Sequence, residues 1–258
     1  KPGKRTLLNL IQTSFEPIGK VLYVYGGGWN FQDTGGSRQC NQIGIASSWI
    51  RFKEENSADY EYKNENDHIH TTYPYGGYNE YYYAGLDCSG YIGWLVHNIL
   101  NDGNDYVTYA SDTAGLLANQ GLGTLIDPSV RLQVGDIISM SGHVWMCLGV
   151  CADDSVLLIH STTGASSTNH IGGGVQVSVL SKNNTSNCFN LSEFNNREDV
   201  SFEAISEGKD EKSEINKIIS DWVNTYYFTN NKSIPTFYKN CSVQVDLIND
   251  CSEYRIEK

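Results

Sequence analysis

The stretch LDCSGYIGWLVHNIL, residues 86–100, is the clearest structural signal in the sequence and decides how the rest is interpreted. Its apolar side chains recur at the three- and four-residue intervals that align them on one face of an α-helix. They are Ile92, Leu95, Val96 and Ile99. Aspartate and serine are favoured where helices begin, so the segment 87–89 marks the start of this helix. The sequence therefore predicts a helix with Cys88 at its N-terminus.

A cysteine at a helix N-terminus can carry out chemistry. The unpaired backbone N–H groups and the partial positive charge at that end stabilise a thiolate, which is the nucleophilic form of the side chain. The same N–H groups can stabilise the oxyanion of a tetrahedral intermediate. A thiol nucleophile also needs a base, normally histidine, and that base is oriented by a third polar group. A single cysteine at a helix start is more often structural, so the assignment of Cys88 depends on histidines elsewhere.

Two of those histidines fall on predicted strands. His143 begins the strand 143–150 and His160 ends the strand 156–161, and both follow a shorter strand at 137–138. A two-residue turn would pair His160 with Cys147, four residues from His143 but on the same face. Contact between the two histidines therefore requires a β-bulge, a strong twist or a different register.

The other four histidines give weaker signals. His68 and His70 have the i, i+2 spacing of metal ligands on a strand, but no further cysteine or histidine is near them in sequence, so we expect loop residues. His97 lies inside the helix 86–100, and His170 lies in a glycine-rich loop. We predict no metal and no cofactor.

The remaining sequence divides into an N-terminal helix, a long insertion and a C-terminal extension. An apolar side predicts a helix over 4–15, and residues 29–84 are rich in tyrosine, asparagine and glycine with little periodicity. A further strand is expected over 175–180. We assign 1–180 to a catalytic domain, and 181–258 to an extension or small subdomain that contains one amphipathic helix.

Composition excludes several classes of function. The chain has 258 residues with 18 Lys and Arg against 30 Asp and Glu, a net charge of −12. That charge argues against binding to nucleic acids or to anionic membranes, which needs a basic surface. No apolar run approaches the roughly 18 residues that span a bilayer. The chain begins at Lys1 without an apolar leader, which is consistent with a removed signal peptide or a trimmed cytosolic protein.

The cysteines do not indicate a dense disulfide framework. There are 7 of them, an odd number, and no Cys-x-x-Cys occurs. Cys241 and Cys251 are spaced so that they can close a hairpin, whereas Cys147 and Cys151 lie on one predicted strand and cannot easily pair. For most of the seven we expect buried thiols that act as small apolar side chains.

Four segments in order resemble the NlpC family, the NlpC / p-sixty cysteine peptidases of bacterial cell walls. They are YVYGG at 23–27, LDCSGYI at 86–92, VGDII with GHV at 134–144, and IHS at 159–161. The resemblance implies an α+β, papain-like fold in which a nucleophile helix packs on an antiparallel sheet. It further implies that Cys88 is the nucleophile, His143 its base and His160 the residue that orients His143.

The resemblance also implies a substrate. Family members hydrolyse peptidoglycan stem peptides, often between γ-D-glutamate and a diamino acid, without metal or cofactor. Tyr23 would help to polarise the substrate carbonyl, while Asp87 and Ser89 would contact the peptide stem. Such an enzyme is secreted or associated with the cell envelope. Tyr25 replaces the usual Trp, the insertion 29–84 exceeds the usual connection, and 181–258 is not covered.

Two alternatives stay open. The first is a thiol amidase or an acyltransferase on the same fold, with the same reactive residues and a different product. The second is a non-catalytic protein that binds cell wall or glycan through the tyrosine-rich insertion 29–84. The presence of both Cys88 and His143 favours an enzyme.

Overall fold

A computed structural model describes most of the chain between residues 1 and 223. The described residues are 1–24, 26–27, 43–56, 85–151, 154, 156–162, 174–181, 189–190, 197–223, 244–246 and 253–255. Most of the insertion 29–84, including His68 and His70, lies outside them, as do His170 and the cysteines Cys241 and Cys251.

These residues form an α+β structure. Its helices are α1 (Leu7–Phe15), α2 (Ser47–Asn56), α3 (Cys88–Leu100), α4 (Thr113–Asn119) and α5 (Lys209–Val223). Its strands are β1 (Gly123–Ile126), β2 (Asp136–Met140), β3 (His143–Cys151), β4 (Val156–Thr162), β5 (Gly174–Ser181), β6 (Phe189–Asn190), β7 (Glu198–Phe202), β8 (Gln244–Asp246) and β9 (Glu253–Arg255). The helix α3 and the strands β2 to β5 were all predicted from the sequence.

Six strands build the central antiparallel sheet in the order β1-β7-β2-β3-β4-β5. The short β6 joins β5 in parallel, and β8 pairs with β3 and β9. Strand β7 thus lies between β1 and β2, and its residues Val200 and Phe202 are buried in the main core. The sheet therefore includes residues from both sides of the boundary that we predicted at 180.

Helix α3 packs against β3 and β4 and is buried on all sides up to Ile99. The segment before α2 packs against α3, where the indole N–H of Trp94 donates to the Gly44 carbonyl at 2.8 Å. The Gly44 N–H donates to the side chain of Asn98, also at 2.8 Å. Trp49 in α2 is fully buried, so this part of the insertion belongs to the core.

Helices α1 and α5 pack on each other. Helix α1 begins at Leu7, later than predicted, because Thr6 caps it by accepting a hydrogen bond from the Asn9 N–H at 3.2 Å. The amphipathic helix expected within 181–258 is α5, whose Glu211 accepts a hydrogen bond from the Leu8 N–H at 2.9 Å. Among the helices described, none is long and apolar enough to cross a membrane.

Candidate active site

Asp87 holds the start of helix α3 in place. It is the N-cap, and its Oδ1 accepts hydrogen bonds from the Gly90 N–H at 2.6 Å and from the Ser89 hydroxyl at 3.1 Å. Its Oδ2 accepts from the Gly26 N–H at 3.1 Å. Asp87 therefore joins the segment that contains Tyr23 to the helix that begins with Cys88. The predicted substrate residues Asp87 and Ser89 bond to each other in this arrangement.

Residues 22–24 and 26–27 lie directly against residues 85–90. The Leu86 N–H donates to the Leu22 carbonyl at 3.2 Å, and the Asp87 N–H donates to the Gly27 carbonyl at 3.3 Å. Tyr23, in the middle of this segment, is buried with 8% exposure. The structure thus brings the first two of the four motif segments together.

The Cys88 thiol is buried, with 6% exposure. Burial raises the pKa of the thiol to about 12, and the charge of Asp87 adds to that rise. Backbone N–H groups of Val144, Ser89 and Cys88 lower the pKa without cancelling the effect of burial. We expected the helix N-terminus to favour the thiolate, but desolvation is the larger effect, so the resting side chain is a thiol.

One of the hydrogen bonds that lower the thiol pKa comes from the Val144 N–H, and it shows where strand β3 lies. Val144 directly follows His143, so the beginning of β3 lies against the Cys88 sulfur. Burial lowers the pKa of His143 to about 4. The imidazole of His143 is therefore neutral at pH 7 and is able to accept a proton.

The two predicted histidines contact each other. His143 Nε2 and His160 Nδ1 are 2.7 Å apart, and the rings meet edge to face. The pairing of β3 with β4 explains how this is possible. Met146 faces Ile159, and a bulge lies between Cys147 and Gly149. Near the turn Val150 faces Val156, already one residue from the register of a two-residue turn. The bulge adds a second residue of shift, so the two histidines become diagonal neighbours within side-chain reach.

Sequence reasoning missed Ser178, which completes this arrangement. His160 Nε2 lies 2.8 Å from Ser178 Oγ on strand β5, and both residues are buried. Burial lowers the pKa of His160 well below its ordinary value, and the neighbouring His143 lowers it further. No local sequence signal marks Ser178, because its position opposite Leu158 depends on the β4–β5 register.

A further contact ties the histidine strand to the cysteine helix. The Ser161 hydroxyl, next to His160, donates to the Leu86 carbonyl at 2.7 Å. Residues from each of the four motif segments therefore lie close to the start of α3. By contrast, His97 bonds locally, with Nδ1 at 3.0 Å from the Asn104 carbonyl, and Cys147 is a second buried free thiol. Within the described part of the chain, no three acidic, histidine or cysteine side chains cluster as metal ligands would.

Comparisons with known proteins give no independent assignment. No family model matches the chain, and neither the curated proteins nor the solved structures include one that matches it.

Proposed function

We propose that the protein is a papain-like cysteine hydrolase that cleaves amide bonds through Cys88, with peptidoglycan stem peptides as its substrates. One observation carries the proposal. The beginning of β3 lies against the Cys88 sulfur, while His143, the first residue of that strand, is held by His160 at 2.7 Å. A buried thiol, a neutral imidazole and a polar partner for that imidazole are the groups that thiol-dependent acyl transfer needs.

The reaction follows from the protonation states of these groups. His143 accepts the Cys88 proton as the sulfur attacks the carbonyl carbon of the amide, and the backbone N–H groups at the start of α3 stabilise the oxyanion. The imidazolium then donates its proton to the departing amine, which leaves an acyl group on the sulfur. His143 next deprotonates a water molecule that attacks this thioester, and the acid product is released with the thiol restored.

The substrate class is supported by the motif segments. Their order and content resemble the NlpC family, so we propose cleavage between γ-D-glutamate and a diamino acid by a secreted or envelope-associated enzyme. In this proposal Tyr23 helps to polarise the carbonyl, while Asp87 and Ser89 contact the peptide stem. The helix that bears Cys88 packs on antiparallel strands, which is consistent with a papain-like arrangement.

Mass spectrometry of a defined stem peptide tests the proposal. L-Ala-γ-D-Glu-diaminopimelate, with and without further residues, is incubated with the wild type, with Cys88→Ala and with Cys147→Ala. Cys147 is a matched control because it is the other buried free thiol described. We expect cleavage by the wild type and by Cys147→Ala, and none by Cys88→Ala.

Three outcomes overturn parts of the proposal. Full activity of Cys88→Ala removes the thiol mechanism. Absence of cleavage by every protein, while iodoacetamide still labels Cys88 in preference to Cys147, retains a reactive thiol but rejects the stem peptide as substrate. If the acyl group appears on an added amine instead of on water, the protein is an acyltransferase.

A further inference from the structure

We propose that Ser178 is a positioning residue that fixes the tautomers of His160 and His143, and so leaves the correct nitrogen of His143 free to accept a proton. The hydrogen-bond chain follows from the geometry alone, whereas its catalytic consequence rests on the proposed function. Ser178 belongs to none of the four motif segments and has no role in the reaction described above.

Both ring nitrogens of His160 are engaged. Nδ1 lies 2.7 Å from His143 Nε2, and Nε2 lies 2.8 Å from Ser178 Oγ. A neutral imidazole has one N–H donor and one acceptor nitrogen. His160 must therefore donate one of its two hydrogen bonds and accept the other. Either it donates to Ser178 and accepts from His143, or it accepts from Ser178 and donates to His143.

The direction of these two hydrogen bonds decides which ring nitrogen of His143 carries hydrogen. When Ser178 Oγ accepts from His160 Nε2–H, the bare Nδ1 of His160 accepts from His143 Nε2–H, and His143 Nδ1 carries no hydrogen. When the Ser178 hydroxyl donates instead, His160 Nδ1–H donates to His143 Nε2, and the hydrogen of His143 lies on Nδ1.

His143 is an active base only when the hydrogen bonds run toward Ser178, with Ser178 Oγ accepting from His160 Nε2–H. His143 Nε2 is occupied by His160, so Nδ1 is the nitrogen left for the Cys88 proton. An active base therefore requires Ser178 to be the acceptor of this hydrogen bond. Because His160 and Ser178 are only 6% and 5% exposed, water is a poor substitute for this hydroxyl, and an unpaired N–H at His160 would be costly.

Nuclear magnetic resonance of ¹⁵N-histidine-labelled protein tests the tautomers without any turnover. In the wild type we expect His160 and His143 each to carry hydrogen on Nε2. Hydrogen on Nδ1 of His143 in the wild type would overturn the proposal, and this measurement needs no variant. Ser178→Thr keeps the hydroxyl and should preserve both tautomers, whereas Ser178→Ala should populate the Nδ1–H form of His143.

Alkylation of Cys88 by iodoacetamide provides the second readout. We expect Ser178→Ala to slow it at pH 7 by about tenfold or more, the size of effect seen when the outer partner of a functional histidine is removed. Ser178→Thr should restore the rate. Ser139→Ala is the matched control, because Ser139 is also a buried strand serine and accepts from the Ala114 N–H at 2.8 Å. A rate loss as large in Ser139→Ala would indicate a structural effect only.

These readouts separate the two proposals. If the tautomers and alkylation rates are as expected but stem peptides are not cleaved, the role of Ser178 stands and the substrate is wrong. If stem peptides are cleaved and Ser178→Ala retains the wild-type kcat and tautomers, the proposed function stands and the role of Ser178 is refuted.

Discussion

Gly90 packs so closely against the carbonyl oxygen of Gly27 that a Cβ at Gly90 would lie 2.1 Å from that oxygen. Such a distance leaves no space for any side chain. The contact lies within the turn of α3 that begins at Cys88, and the Asp87 N–H donates to the same Gly27 carbonyl. The glycine after Asp-Cys-Ser is therefore needed for backbone packing, and it sets the position of the helix start relative to the segment of Tyr23.

Gly90→Ala should destabilise the protein. A central helical Gly→Ala normally stabilises by about 0.5–1 kcal/mol, but the clash at Gly90 should reverse this to a net loss of roughly 1–3 kcal/mol. Urea unfolding measures the change. Gly115→Ala in α4 is the control, because its Cβ would meet only Glu198 Oε2 at 3.6 Å, an ordinary contact. Equal stability of the two variants would contradict the packing argument.

Asp87→Asn should lower the pKa of the Cys88 thiol. The negative charge of Asp87 opposes formation of the thiolate, second only to burial, so removing that charge favours the thiolate. We expect the thiolate absorbance near 240 nm to appear at lower pH, and alkylation at a fixed pH to become faster. Asp127→Asn removes an equal charge from a fully exposed residue and should leave the thiol unchanged. An unaltered thiol titration in Asp87→Asn would refute the electrostatic role.

His143 should remain a neutral base in mild acid. Burial lowers its pKa from 6.5 to about 4, so the acid limb of the kcat/KM profile should lie near pH 4 instead of near 6.5. The depressed pKa contributes stability that is present above pH 6.5 and is lost as the pH falls from 6.5 toward 4. Proton resonances of the His143 ring, followed against pH, measure this directly. A titration midpoint of the His143 ring near pH 6.5 would contradict the prediction and show that the imidazole is solvated.

Asp199 on β7 should give the opposite pH dependence of stability. Burial raises its pKa from 3.8 to about 6, although the Arg197 guanidinium lies 3.0 Å away and favours the charged form. Because the folded protein holds this proton more tightly, its contribution to stability is greatest below pH 3.8 and is lost as the pH rises through 6.

The Asp199→Asn variant isolates that contribution. The free energy of unfolding in urea is measured at pH 4 and pH 7 for the wild type and the variant. We expect the wild type to lose about 2 kcal/mol more than the variant over this interval. The histidines contribute equally to both proteins, so their effect cancels in the difference. Identical pH dependence in the two proteins would show that Asp199 titrates as it does in the unfolded chain.

Local patterns were sufficient to predict the elements that carry the candidate site. The periodicity of 86–100 predicted α3, and two apolar runs separated by a turn predicted β3 and β4, because these signals depend on residues close together in sequence. Helix α2 and strand β7 were not predicted. Their sequences, SSWIRFKEEN and EDVSF, lack a clear period. Strand β7 is held by the distant strands β1 and β2, and the segment before α2 is held by helix α3.

The contact between His143 and His160 was only partly predictable from local sequence patterns. The sequence indicated that both side chains lie on one face and that a bulge, a twist or another register was needed. It did not indicate which, because a β-bulge depends on the pairing of two strands and not on one strand's composition. Ser178 was missed for the same reason, since its partner is decided by the register between β4 and β5.

The α+β class of fold was an implication of the family resemblance. The sequence by itself determined the helix that begins at Cys88, the strands that carry His143 and His160, and the residue types available for thiol chemistry. These depend on local hydrogen bonding, side-chain periodicity and capping. Only the tertiary structure decided that β7 enters the sheet between β1 and β2 and that His160 bridges His143 and Ser178. It also decided that Cys88 rests as a thiol, because desolvation depends on everything packed around the sulfur and outweighs the local effect of the helix N-terminus.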